Sequence, residues 1–190
     1  MRHFTIKQVP NVLTTLRLIL ALPICLLILD ENYPAVLWLA FIAGGSDAID
    51  GYLARRLNAL SHYGAVLDPL ADKTLLLSVY ISLTVVGVVP WWLAAILVVR
   101  DMLIVSGAFA YRRLFGRYQI APSIWGKIST GVQIVFALMI LTQQVFPVFT
   151  VFTLQVGLNL LIFMAFVSGS HYMYVWGEKI LAARQGNGRS

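Results

Sequence analysis

The chain has 190 residues, of which 59% are hydrophobic and only 12% charged, and its mean hydropathy is +0.82. A soluble domain is normally about a quarter charged and about half apolar, so the bulk solvent for this chain is lipid. The formal charge of +6 then reflects basic loops facing anionic lipid rather than nucleic acid, and the single cysteine, Cys25, excludes an intrachain disulfide framework.

Residues 1–9 mix polar and apolar side chains and read as a lead-in lying on the membrane surface. Pro10 suits a helix start, because its missing N–H would be unpaired there anyway. A bilayer core needs about 20 mostly apolar residues per helix. Six stretches qualify: 11–29, 34–57, 63–87, 91–115, 123–146 and 150–178. The first follows Arg2 and Lys7 and so mimics a signal peptide. Arg17 interrupts it and no small-x-small cleavage site follows, so a spanning helix is expected instead. The fold class expected is an all-α membrane bundle of six transmembrane helices, one domain over residues 1–182, with a disordered tail at 183–190.

Lysine and arginine set the orientation. Arg2, Lys7, Arg55, Arg56, Arg112, Arg113, Arg117, Lys127, Lys179, Arg184 and Arg189 all fall before the first span, at alternate connections, or at the end. The loops around 30–33, 88–90 and 143–149 contain none. This one-sided bias predicts cytoplasmic termini and an even number of spans. Trp38, Trp91, Trp92, Trp125 and Trp176 lie near span ends, where an aromatic belt explains them.

Five of the eight acidic residues fall in or beside apolar spans: Asp47, Asp50, Asp68, Asp72 and Asp101. A charge at mid-bilayer costs at least about 2.5–3.5 kcal/mol, so each needs a partner or a wet cavity. Asp47, Asp50, Gly51 and Ala54 share one helical face, as do Gly64, Asp68 and Asp72. A short turn near Asn58–Ser61 would make the two helices antiparallel neighbours and bring four carboxylates together. Unneutralised, they would repel. Oxygen ligation without His or Cys points to a hard cation, Mg²⁺ or Mn²⁺, and two such ions would clamp an in-line displacement at phosphorus. Plain ion pairs with Arg55, Arg56, Lys73 and Arg100 are the bland alternative, and a divalent-cation transporter could also cluster aspartates in this way.

Read in full, the stretch is Asp47-Ala-Ile-Asp50-Gly51-Tyr-Leu-Ala54-Arg55, eight residues, Gly64, three residues, Asp68, three residues, Asp72. This resembles the complete signature of the CDP-alcohol phosphatidyltransferase family. Pro10-Asn11-Val-Leu-Thr14-Thr-Leu-Arg17, Arg100-Asp101 and Pro122-Ser123-Ile-Trp-Gly-Lys127 are also similar to the family, so the likeness runs from about residue 8 to 178. The resemblance implies a multi-pass, inner-membrane enzyme with its active site facing the cytoplasm. It would transfer a phosphatidyl group from CDP-diacylglycerol to an alcohol and release CMP. It implies that Asp47, Asp50 and Asp68 hold the metals, with Asp72 shared between metal binding and general-base catalysis. It further implies that Asn11, Thr14, Gly51, Ala54, Arg55 and Gly64 line the nucleotide pocket. Many such bundles dimerise, which makes a homodimer a candidate assembly.

The acceptor is read from other residues. Ser78–Thr84, Pro90, Arg100-Asp101-Met-Leu-Ile, Ala110-Tyr111-Arg112 and the final His171, Tyr172 and Lys179 resemble the cardiolipin-synthase branch, which uses phosphatidylglycerol. Gly126-Lys127 resembles the branch that uses glycerol 3-phosphate, although Ser129 stands where that branch usually has a second lysine. A phosphate monoester wants more fixed cations than a phosphodiester, so Ser129 favours the lipid acceptor. Arg100, Lys127 and Arg17 are the acceptor-binding candidates. The alternatives are pairing with Asp101 for Arg100, a surface role for Lys127 and snorkelling for Arg17. His62 reads as a loop residue, and His3 and His171 give no sign of metal binding.

Overall fold

The computed structural model describes the backbone of residues 9–56, 64–115 and 123–187, and the side chains of 19–44, 73–107, 123–175 and 177. The described residues form six helices and no strand: α1 (Val9–Leu29), α2 (Tyr33–Arg56), α3 (Gly64–Val85), α4 (Trp91–Phe115), α5 (Ile124–Val145) and α6 (Val151–Asn187). Each coincides with one of the six predicted stretches. α6 continues past residue 178 to Asn187, into the segment expected to be a tail. The turn expected at Asn58–Ser61, His62 within that connection, and the lead-in up to residue 8 lie outside the described residues.

The helix ends follow from local chemistry. α1 closes in a Schellman motif: Glu31 N–H donates to the Ile28 carbonyl at 3.0 Å and Asn32 N–H to the Leu27 carbonyl at 2.9 Å. Glu31 takes the left-handed conformation this requires, at φ 55°. Asn32 then caps α2, its Oδ1 lying 3.4 Å from the Ala35 N–H. α3 ends in the same way. Gly87, at φ 75°, donates to the Thr84 carbonyl and Val88 to the Leu83 carbonyl, at 3.0 and 2.9 Å. Ser123 caps α5 through Oγ to the Gly126 N–H at 3.0 Å, and Thr150 caps α6 through Oγ1 to the Thr153 N–H at 3.2 Å. The three tight connections, at 30–32, 86–90 and 146–150, contain no lysine or arginine.

Contacts divide the chain into two compact units, residues 1–90 with 137–149 and residues 91–136 with 150–190. In the first, α1 packs against both α2 and α3. Ala21, Ile24 and Ile28 of α1, Val36 of α2, and Val79, Tyr80 and Leu83 of α3 are buried there, one helical face each. In the second, α4 packs against α6. The buried stripe of α4 runs Leu93, Leu97, Arg100, Ile104, and that of α6 runs Leu161, Ala165, Ser168.

The outward faces are apolar. Phe41 is 77% exposed, Met102 67% and Phe152 78%, in a chain where such side chains recur along every helix. Exposed apolar surface on this scale marks a partner medium other than water. Among the described residues, Ile124–Val145 and Val151–Val175 are long and apolar enough to cross a membrane, and only a minor part of each is buried. Shorter apolar stretches occupy Ile19–Leu29, Tyr33–Gly44 and Lys73–Val85.

Candidate active site

The aspartate motif lies on the backbone of two helices of the first unit. Asp47, Asp50, Gly51, Ala54 and Arg55 belong to the C-terminal half of α2, and Gly64, Asp68 and Asp72 open α3. Helical register keeps Asp47, Asp50, Gly51 and Ala54 on one face of α2, and Gly64, Asp68 and Asp72 on one face of α3. Their side chains lie outside the described residues. α1 is the neighbour that both helices share.

The tight α1–α2 connection adds a positional link. Asn11 lies 18 residues before Leu29 and Gly51 lies 18 residues after Tyr33. At 1.5 Å per residue, both stand about 27 Å of helix from the turn. Asn11 and Thr14 of α1 are therefore level with the motif on α2, at the same end of the hairpin, with Arg17 nearer the turn. These five families of position (Asn11, Thr14, Asp47, Asp50, Gly51) come from one register, set by three connecting residues.

Arg100 belongs to the second unit and sits on the α4–α6 seam, 4% exposed. Its Nη1 lies 2.6 Å from Asp101 Oδ1 and its Nη2 donates to Ser168 Oγ at 2.8 Å. The pair with Asp101 is thus present, and a second, unpredicted partner comes from α6. Ser168 is fully buried. The adjoining Gly169 would place a Cβ 3.9 Å from Arg100 Cγ, ordinary contact, so the small residues of α6 run along the arginine stem. Arg100 Nε is buried and has no hydrogen-bond partner among the described residues. The run Ser168-Gly169-Ser170 was the available signal for close helix approach, and reading it only as part of a span missed Ser168.

Lys127 is exposed in the first turn of α5. That turn is held to α6 by Tyr172, whose hydroxyl accepts the Ser123 N–H at 3.1 Å. Gly126 is small for a reason: a Cβ there would lie 3.0 Å from Tyr172 Oη and 3.2 Å from its Cε2. Farther along the helix Ser129 is 1% exposed, with an Oγ that has no hydrogen-bond partner among the described residues, and Gln133 is 4% exposed. α5 therefore turns a neutral polar stripe inward at the position that a second lysine would occupy.

The chain was compared with known proteins. The model of the family described as CDP-alcohol phosphatidyltransferase matches residues 7–176. A probable cardiolipin synthase (CMP-forming) of Drosophila melanogaster is 35% identical over 145 residues, covering 68% of this chain and 45% of its own. The cardiolipin synthase (CMP-forming) of Rattus norvegicus is 30% identical over 194 residues, covering 94% of this chain and 64% of its own. The CDP-diacylglycerol–glycerol-3-phosphate 3-phosphatidyltransferase of Aquifex aeolicus is 34% identical over 160 residues, covering 81% and 85%. The chain thus spans roughly half to two thirds of the two animal relatives and most of the bacterial one. A family match that takes in α1, the whole aspartate motif, Arg100 and Tyr172 leaves one conclusion: the chain belongs to the CDP-alcohol phosphatidyltransferase family.

Proposed function

We propose that this protein is a multi-pass membrane enzyme of phospholipid synthesis that transfers the phosphatidyl group of CDP-diacylglycerol to the free hydroxyl of phosphatidylglycerol, forming cardiolipin and CMP. The observation that carries the chemistry is the aspartate motif at helical register on α2 and α3 within the matched region. The six helices and the one-sided basic-residue bias support a reading of six spans with cytoplasmic termini.

Asp47, Asp50, Asp68 and Asp72 form a donor set of carboxylate oxygens, which suits Mg²⁺ or Mn²⁺. Two bound ions would supply charge stabilisation at the diphosphate and at the departing CMP. The chain's own residues do the rest. Asp72 takes the proton from the acceptor hydroxyl. That oxygen forms a bond to the phosphatidyl phosphorus as the bond from phosphorus to the CMP oxygen breaks. Arg55 gives a charge-assisted contact to phosphate, and Gly51, Ala54 and Gly64 leave room for the nucleotide beside Asn11 and Thr14. Arg100, Lys127 and Arg17 provide positive charge for the acceptor phosphate.

Glycerol 3-phosphate is the second acceptor to weigh, because the Aquifex relative is named for it. Phosphatidylglycerol is favoured by the neutral, buried Ser129 and Gln133 on α5, which suit a phosphodiester with a polyol better than a dianionic monoester. Asp72→Asn tests the chemistry. It should remove CMP release by a factor of about a hundred or more while leaving the melting temperature in detergent unchanged. Full activity in that variant would show that Asp72 is not the base.

A further inference from the structure

Arg100 occupies a position in the α4 stripe where Leu93, Leu97 and Ile104 are its companions, yet it carries a charge into the seam. A guanidinium offers five N–H donors in a fixed plane. One is directed at Asp101 and one at Ser168, so the plane is fixed from two helices rather than one. Asp101 is the adjacent residue on α4 and moves with Arg100; Ser168 belongs to α6 and supplies the outside reference. The Nε–H is left buried and without a partner among the described residues. An orphaned donor on a buried cation is costly unless something occupies it during the working cycle.

We propose that Ser168 is a positioning residue for the acceptor: its hydroxyl fixes the rotation of the Arg100 guanidinium so that the unpaired Nε–H is the donor left for a phosphate oxygen of the incoming lipid. This rests on the reading of Arg100 as an acceptor-phosphate residue. Ser168 touches no substrate; it acts through Arg100. Gly169 lies alongside the arginine stem, 3.9 Å from Arg100 Cγ to where a Cβ would stand.

The test uses the full chain in mixed micelles with CDP-diacylglycerol and phosphatidylglycerol, and measures KM for each lipid together with kcat. Ser168→Ala removes one oxygen and adds no volume. It should raise the KM for phosphatidylglycerol about tenfold, the size of one hydrogen bond to a charged group, with the KM for CDP-diacylglycerol unchanged. Arg100→Gln reports separately on the underlying reading. If Arg100→Gln leaves the phosphatidylglycerol KM unchanged, Arg100 does not bind the acceptor. If Arg100→Gln raises it and Ser168→Ala does not, Arg100 keeps its role and the proposal for Ser168 is overturned. Ser168→Gly is the second variant should Ser168→Ala lose turnover; loss of turnover in both makes Ser168 structural and also overturns the proposal.

Discussion

Single residues decide how two of the turns are made. Glu31 and Gly87 hold the same place in two Schellman motifs, both at positive φ, but only Gly87 does so without steric cost. Glu31→Gly should therefore stabilise the protein by up to about 1 kcal/mol, and Gly87→Ala should destabilise it by at least that much. Thermal unfolding in one detergent checks both signs, and a loss of stability in Glu31→Gly would show that the side chain makes an interaction worth more than its strain. At this scale the sequence was legible where a residue type has a single dominant use. Pro10 at a helix start and the aspartate spacing could both be read, whereas the Ser123 cap appears only in the structure. The partner of Arg100 could only be half read: Asp101 is adjacent in sequence, but Ser168 is 68 residues away and had no signal beyond being small. Long-range hydrogen bonds depend on which helix faces meet, and an all-apolar sequence leaves that undetermined.

Elements were more legible than their neighbours. All six helices stand where hydropathy and turn residues put them. The expected pairing of α2 with α3 rests on a turn that lies outside the described residues; among the described contacts α1 packs against both. The α4–α6 seam had only the small-residue run Ser168-Gly169-Ser170 as a sequence indication, and that run does not name its partner helix. The join between α5 and α6 is the most easily tested of these packings. Gly126→Leu must displace the Tyr172 ring, and overpacking of this kind costs about 1–3 kcal/mol. Tyr172→Ala combined with it should recover part of the loss, a coupling that a double-mutant cycle measures by melting temperature. Strict additivity would mean that the two side chains do not compete for the same space.

For the whole molecule, composition and function point the same way. A chain with 59% hydrophobic residues and exposed phenylalanines along its helices is built for lipid, and its matched relatives make membrane phospholipids. The family was legible because its motif is dense and local, eight fixed positions within 26 residues from Asp47 to Asp72. The residues proposed for the acceptor (Arg100, Lys127, Ser129) are scattered over two helices and form no such motif. The matched relatives divide between two acceptors in the same way. The central claim is therefore best tested by product identification. Purified protein is given CDP-diacylglycerol and a divalent cation, with either phosphatidylglycerol or glycerol 3-phosphate, and the lipid product is identified beside CMP. The account predicts cardiolipin and CMP from phosphatidylglycerol, no phosphatidylglycerophosphate, and no product once the cation is chelated. Phosphatidylglycerophosphate without cardiolipin would contradict the acceptor, and cation flux into liposomes with no CMP from either mixture would contradict the account altogether.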